Sequence, residues 1–173
     1  EEFFKNYDEF LKIGDSYCKN TSFYDELKKT NHRAFTTAYN FGDNAETVKY
    51  ILEKAANADA HVLPIGAVSV GENGEKLTDM QALKEAGCCA FSDDGVPVKT
   101  AELMREALKE AARLDMPVFA HCEEKTISRD GIVNDCDVAT DLNMPQIPVS
   151  AEDVGTARET ALLMSAPKNA RLH

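Results

Sequence analysis

Residues 88–121 read CCAFSDDGVPVKTAELMREALKEAARLDMPVFAH, and this stretch decides the fold class. It holds two short apolar runs, at 88–92 and 117–121, on either side of an amphipathic segment that Thr100 can cap. The apolar positions of that segment keep the helical period: Leu103, Met104, Ala107, Leu108, Ala111 and Leu114. Runs that are apolar on both faces and alternate with amphipathic helices predict a parallel α/β sheet covered by helices.

The same alternation extends in both directions from this stretch. The other predicted elements are a helix capped by Asp43 with Glu46, a strand over 61–66, a helix opened by a Thr78–Gln81 capping box and ended by Gly87, and a helix that begins after Ser150. Residues 43–173 are therefore interpreted as consecutive βα units, which fit either a doubly wound sheet or a closed β/α barrel. Residues 1–42 stay a poorly assigned N-terminal segment, with one strand-like run over 34–39.

The composition indicates a globular protein and excludes several functions. Hydrophobic residues make up 43% and charged residues 28% of the 173 residues, which argues against disorder. Lys and Arg number 19 against 30 Asp and Glu, so the net charge of −11 would repel a phosphate backbone, and nucleic acid is not an expected partner. No apolar run approaches the roughly 18–20 residues of a membrane span, so no membrane association is expected.

Cysteine usage predicts the compartment. The five cysteines are odd in number and show no CxxC spacing: Cys18, Cys88, Cys89, Cys122 and Cys136. This pattern suits reduced thiols better than a disulfide framework, and reduced thiols favour the cytoplasm.

Residues able to bind a metal follow two of the predicted strands. Asp93 and Asp94 come after the run at 88–92, and His121 ends the run at 117–121. In parallel α/β folds the carboxyl ends of the strands share one edge, so a carboxylate and an imidazole there could bind Zn²⁺ or a related divalent ion. Two plainer interpretations remain open: an ordinary Asp-Gly turn, and a strand-terminal histidine bonded to backbone.

Other chemistries have weaker support. No GxGxxG, GxxxxGK[ST] or GxSxG motif is present. Cys122 adjoins His121, but adjacent strand residues point to opposite faces, which disfavours a thiolate pair. Glu123 and Glu124 are interpreted as residues of a solvated loop rather than a catalytic dyad.

Four blocks in this order resemble a known family. They read NAETV at 44–48, VLPIGA at 62–67, AFSDDG at 90–95 followed by PV at 97–98, and HCEE at 121–124. Together with shorter matches up to His173, they resemble the middle of a class I bacterial dihydroorotase, a member of the metal-dependent amidohydrolase superfamily.

The resemblance implies a fold, an activity and a site. The fold would be a partial TIM (β/α)8 barrel formed by the central βα units. The activity would be reversible conversion of N-carbamoyl-L-aspartate to L-dihydroorotate in de novo pyrimidine biosynthesis, with one or two zinc ions. The carboxylate ligand would fall on Asp94, with Asp93 as the alternative, and the imidazole ligand on His121; no catalytic residue is assigned.

The sequence also departs from the family. The paired His-x-His does not occur, because Arg33 and Ala34 follow His32, and a Met-Pro-Asn-Thr segment is absent. His173 occupies the Arg-Leu-His position, so the next histidine ligand and the catalytic aspartate have no counterpart. A complete barrel typically takes about 250 residues, so we expect an incomplete site that is inactive alone.

Two alternatives follow from these departures. One is a noncatalytic dihydroorotase-like subunit that acts as a scaffold or partner of aspartate transcarbamoylase, and the other is a Rossmann-like binding module. A homodimer also fits, since it is the commonest soluble assembly.

Overall fold

The computed structural model describes residues 33–37, 43–58 and 60–173. The strands are β1 (Arg33–Thr37), β2 (His61–Gly66), β3 (Ala90–Phe91), β4 (Pro117–Val118), β5 (Val133–Asn134), β6 (Gln146–Ile147) and β7 (Arg171–Leu172). The helices are α1 (Ala45–Ala55), α2 (Met80–Ala86), α3 (Ala101–Arg113), α4 (Lys125–Ser128), α5 (Asp137–Asp141) and α6 (Ser150–Ser165), with a 3₁₀ turn at Val70–Glu72.

Five strands form one parallel sheet in the order β1-β2-β3-β4-β7. Phe91 of β3 pairs with Val118 of β4, and Val118 pairs in turn with Leu172 of β7. The predicted α/β class with a parallel sheet is confirmed. A second, two-stranded parallel sheet joins β5 to β6.

The hydrophobic core lies between this sheet and its helices. Its largest fully buried side chains include Phe91, Met80, Leu83, Met104, Leu108 and Val118. The apolar stripe predicted for α3 faces the core, with Leu103 and Leu114 at its ends partly and fully buried. Burying each such side chain contributes about 1.5–3 kcal/mol to folding.

The N-cap of α1 lies one residue later than predicted. The Asn44 side chain accepts the Thr47 N–H at 2.9 Å, so Asn44 and not Asp43 is the N-cap. The Asp43 carboxylate instead accepts the Gly71 N–H at 3.0 Å. Asp43 and Asn44 are both residue types that cap helices, and the contact with Gly71 leaves the capping role to Asn44. Thr100 caps α3 as predicted.

The cap of α2 is displaced for a similar reason. The Asp79 side chain accepts the Ala82 N–H at 3.0 Å, while the Thr78 hydroxyl donates to the Ala67 carbonyl at 2.7 Å. The predicted capping box is therefore wrong, because Thr78 is used to hold the strand-to-helix connection. The predicted end at Gly87 is confirmed, with φ +116° in the left-handed region that glycine tolerates.

The strand over 61–66 is as predicted, and the last helix begins at Ser150 itself rather than after it, with Val149 as its N-cap. The runs at 88–92 and 117–121 form strands of two residues only. Of the run at 34–39, residues 34–37 belong to β1, and the remainder of the assignment for 1–42 lies outside the described residues. In the described ranges, no helix has the length and apolarity needed to cross a membrane.

Candidate functional site

The carboxyl edge of the sheet brings the predicted site segments together. Phe91, Val118 and Leu172 are paired in register and end three neighbouring strands. Asp94 and His121 each lie three positions beyond their paired strand residue. The two segments that follow β3 and β4 therefore leave the sheet at the same edge.

Asp93 is buried and tied to the connection after β2. Its side chain accepts the Ser69 N–H at 2.9 Å through one oxygen and the Ser69 hydroxyl at 2.5 Å through the other. The Ser69 hydroxyl in turn accepts the Gly74 N–H at 2.7 Å. Burial raises the pKa of Asp93, and the hydrogen bonds from Ser69 partly oppose that rise. The Asp93 carboxylate therefore links the connection that follows β3 to the connection that follows β2.

Asp94 has a different environment from its neighbour. Its residue is exposed, and its φ of +52° lies in the left-handed region that Asp tolerates. The Asp94 N–H donates to the Ser92 hydroxyl at 3.0 Å, and the Val96 N–H donates to the Asp93 carbonyl at 3.0 Å. This is the geometry of a tight Asp-Gly turn, and the turn displays the Asp94 carboxylate at the edge of the sheet.

His121 belongs to a small charged cluster. Its Nε2 lies 2.8 Å from Oε2 of Glu123, and Nζ of Lys125 lies 2.6 Å from the same oxygen. The hydrogen bond from Lys125 is the largest cause that lowers the pKa of Glu123 to about 2, and His121 contributes. The Glu123 carboxylate is therefore ionised and orients the His121 ring.

Glu123 lies in a loop, as predicted, but its side chain is not fully solvated, because only 12% of it is exposed. Glu124 accepts the Thr126 N–H at 3.1 Å and caps α4. Lys125 and Ser69 were not singled out by the sequence reasoning. The i, i+2 spacing of His121 and Glu123 is the signal that could have indicated the first pair, whereas nothing local marks Ser69.

The described residues do not fit a complete catalytic zinc site by themselves. Catalytic zinc takes three protein ligands and a water. Within the ranges that the structure describes, no three His, Cys, Asp or Glu side chains come together as a metal-binding group. Asp94 and His121 offer a hard oxygen and an imidazole nitrogen, which suit Zn²⁺, but they amount to two candidate ligands.

Two surface clefts lie away from this edge. One, of about 400 Å³, lies between α2 and α3 and is lined by Met80, Glu106 and Arg113 among others. The other, of about 650 Å³, adjoins α4 and the β5–β6 sheet. Neither of these two clefts is lined by Asp94 or His121.

The fold and the site together define a parallel α/β protein with candidate ligands at the carboxyl edge of its sheet. A known family, described as Dihydro-orotase-like, matches residues 26–170. The chain belongs to this family.

Curated relatives agree with this assignment. A protein named dihydroorotase from Syntrophotalea carbinolica is 44% identical over 132 residues, which are 76% of this chain and 31% of the relative. One from Geotalea daltonii is 47% identical over 121 residues, which are 69% of this chain and 28% of the relative. The chain thus spans about three tenths of the length of the curated relatives it matches.

Proposed function

We propose that this chain forms the central βα units of a dihydroorotase, which interconverts N-carbamoyl-L-aspartate and L-dihydroorotate in pyrimidine biosynthesis. The observation that carries the proposal is the register Phe91 to Val118, which brings Asp94 and His121 to one sheet edge in a chain of the dihydroorotase family. Its substrate would be a small molecule. A cytoplasmic location is part of the proposal and is supported by free cysteines at 88, 89, 122 and 136.

The strand order supports a partial TIM (β/α)8 barrel over the Rossmann-like alternative. A doubly wound sheet reverses its strand order at a switch point, where its ligand binds. Here the strands follow one another in chain order from β1 to β4, and β7 continues on the same side. A barrel adds every strand in one direction, so this order favours the barrel.

The hydrogen bonds of Asp93 and the exposure of Asp94 favour Asp94 as the metal ligand. Both Asp93 oxygens accept hydrogen bonds from Ser69, and a metal at Asp93 would have to break at least one of them. Asp94 is exposed at the turn after β3, where a metal ion in solvent can approach it.

The Glu123 carboxylate gives His121 the surroundings of a ligand histidine. Metal-binding histidines commonly donate one ring N–H to a carboxylate, which fixes the tautomer and the ring orientation. With Nε2 facing Glu123, Nδ1 would be the ligand atom. We propose that Asp94 and His121 contribute to a site for one or two zinc ions that further ligands complete.

The test assays this chain and a chimera, in which the matching segment of this chain replaces that of the Syntrophotalea carbinolica dihydroorotase. We expect the chimera to cyclise N-carbamoyl-L-aspartate and to contain zinc. Asp94→Asn and His121→Asn should each lower the rate by at least about 100-fold and reduce the zinc content, because ligand loss exceeds the effect of second-shell changes.

Matched controls are Asp130→Asn and His61→Asn, which change an exposed aspartate and an exposed histidine that are not candidate ligands. Both should keep the parental rate. A folded chimera with full activity after Asp94→Asn or His121→Asn would contradict the site, and a folded chimera with no activity at all would contradict the function.

A second candidate function is a noncatalytic subunit that binds aspartate transcarbamoylase or a second copy of this chain. Exposed apolar side chains favour it: Ile132, Val138 and Leu142 are 65–69% exposed. Light scattering of the chain, alone and with aspartate transcarbamoylase, measures both assemblies. Ile132→Ser should weaken any complex in which Ile132, Val138 and Leu142 contact the partner.

A further inference from the structure

Helix α6 contacts the segments that follow both β3 and β4 along one of its faces. The contacts are made at Ala151, Gly155 and Arg158, which are spaced i, i+4 and i+7. This spacing puts the three residues on the same side of an α-helix. The two segments they contact are those that carry Asp94 and His121.

The N-terminal half of α6 holds the segment that follows β4. The Glu124 N–H donates to the Ala151 carbonyl at 2.8 Å. Gly155 packs directly on the peptide between Cys122 and Glu123: a Cβ at Gly155 would lie 2.7 Å from the Cys122 carbonyl carbon and 2.7 Å from the Glu123 nitrogen. Any larger residue at Gly155 must therefore push α6 away from the segment that follows His121.

One turn further along, α6 holds the segment that follows β3. The Arg158 guanidinium donates to the Val98 carbonyl at 2.9 Å. Glu159 accepts from the same guanidinium and is 2% exposed. In the described part of the chain, Oε2 of Glu159 has no hydrogen-bond partner. A buried ion pair stabilises little by itself, so its value here lies in the orientation that it gives to Arg158.

We propose that α6 is a clamp that fixes the segments carrying Asp94 and His121 relative to each other. Arg158 is the positioning residue for the segment with Asp94, and Gly155 is the positioning residue for the segment with His121. The significance of the clamp for catalysis rests on the proposed function, whereas its effect on the two segments does not.

The first test is amide hydrogen exchange on the full chain with Arg158→Met. The reporter is the Val96 N–H, which is bonded to the Asp93 carbonyl. We expect Val96 to exchange about tenfold faster, the factor that corresponds to losing a hydrogen bond from a charged donor. Amides in the middle of α3 should keep their rates. Arg158→Lys keeps a donor and should restore part of the protection.

Arg105→Met is the matched control, since Arg105 pairs with Glu102 and Glu106 of its own helix, α3. It should leave Val96 unchanged. If Arg158→Met accelerated amide exchange in α3 and at Val96 equally, Arg158 would stabilise the whole fold rather than this segment. If Val96 kept its rate, Arg158 would not hold this segment. Either result overturns the proposal.

The second test is Gly155→Ala, read at the Glu124 N–H. The added methyl must separate α6 from the Cys122–Glu123 peptide, so the Glu124 amide should exchange about tenfold faster through loss of its bond to α6. Gly95→Ala is the control, because a Cβ at Gly95 meets nothing within 4 Å. Unchanged exchange at Glu124 in Gly155→Ala would overturn this half of the clamp.

The chimera separates failure of the clamp from failure of the proposed function. We expect Arg158→Met to lower kcat about tenfold with little change in KM, and Arg158→Lys to recover part of it. An inactive chimera refutes the function while the exchange data still decide the clamp. If the chimera is active and Arg158→Met leaves its kcat unchanged, the positioning role is refuted, even where amide exchange at Val96 has changed.

Discussion

Between residues 60 and 118, two helices and three strands bury large apolar side chains, whereas Ala139 is the one apolar residue that is buried in residues 119–149. Phe91, Met104 and Leu108 are 0–1% exposed in the first region, but Ile132 and Leu142 of the second are 65% exposed or more. The second region forms short elements that pack on α6 and on each other. His121 lies where the two regions meet, so its position depends on the less strongly packed one.

The most direct test of this difference in packing is to truncate one apolar side chain in each region. Phe91→Ala should cost about 3–5 kcal/mol of the free energy of unfolding, because it leaves a cavity between sheet and helices. Leu142→Ala should cost within about 0.5 kcal/mol, since its side chain is already in water. Urea unfolding of both variants measures the difference, and equal costs would contradict the contrast in packing.

Thiol reactivity compares the two regions without changing the fold. Burial raises the pKa of Cys88 to about 12, whereas Cys136 is exposed. We expect iodoacetamide to modify Cys136 at least about 100-fold faster than Cys88 at pH 8, because the thiolate is the nucleophile. Mass spectrometry of the labelled peptides gives the rates, and denaturant should bring them close together.

The same shift has a pH consequence for stability. Since the folded pKa of Cys88 lies above its ordinary value of 9.0, the stability linked to this thiol is complete below pH 9 and is lost as the pH rises toward 12. Cys88→Ala should show a flatter decline over that range than the unchanged chain. Parallel declines would show that Cys88 ionisation does not contribute.

The next smaller effect on the free energy of unfolding is expected at Gly131, which packs closely against β6. A Cβ at Gly131 would lie 2.5 Å from the Ile147 side chain and 2.7 Å from the Gln146 carbonyl. Gly131→Ala should therefore cost about 1–3 kcal/mol, by forcing β5 and β6 apart. Gly95→Ala should be nearly neutral by comparison. Thermal unfolding measures both, and a neutral Gly131→Ala would indicate that residues 119–149 adapt easily.

The smallest expected effect compares two helix caps. Thr100 caps α3 through a hydroxyl that accepts the Leu103 N–H, whereas Cys136 caps α5 through a sulfur 3.4 Å from the Ala139 nitrogen. Thr100→Ala should cost about 1 kcal/mol. Cys136→Ala should cost only a few tenths, about 0.3 kcal/mol, since sulfur is a weak acceptor. A larger loss for Cys136→Ala would reverse this ranking.

Periodicity and caps were enough to predict the α/β class, strand β2 and the buried face of α3. The predicted N-caps were wrong where two adjacent residues could each cap the helix. Asn44 and not Asp43 caps α1, and Asp79 and not Thr78 caps α2. In both cases a contact distant in the chain engaged the first residue, and no local pattern carries that information.

The candidate site divides in the same way. Parallel strands and the family resemblance led to Asp94 and His121, because the carboxyl ends of such strands share an edge. The burial of Glu123 could not be predicted, since it depends on α6, whose Gly155 lies more than thirty residues further along the chain. Ser69 was missed because its partner Asp93 lies on a different strand connection.

The place of β7 beside β4 also favours one order of folding over others. Pairing β2 with β3 closes a loop of roughly twenty-five residues, whereas pairing β4 with β7 closes one of roughly fifty, and each doubling costs about 0.6 kcal/mol of chain entropy. Pairings between residues that are close in the chain cost less chain entropy, which favours early formation of the local βα units. The nascent chain would thus assemble β2, β3 and β4 first, and the sheet would gain β7 only after α6 had been synthesised.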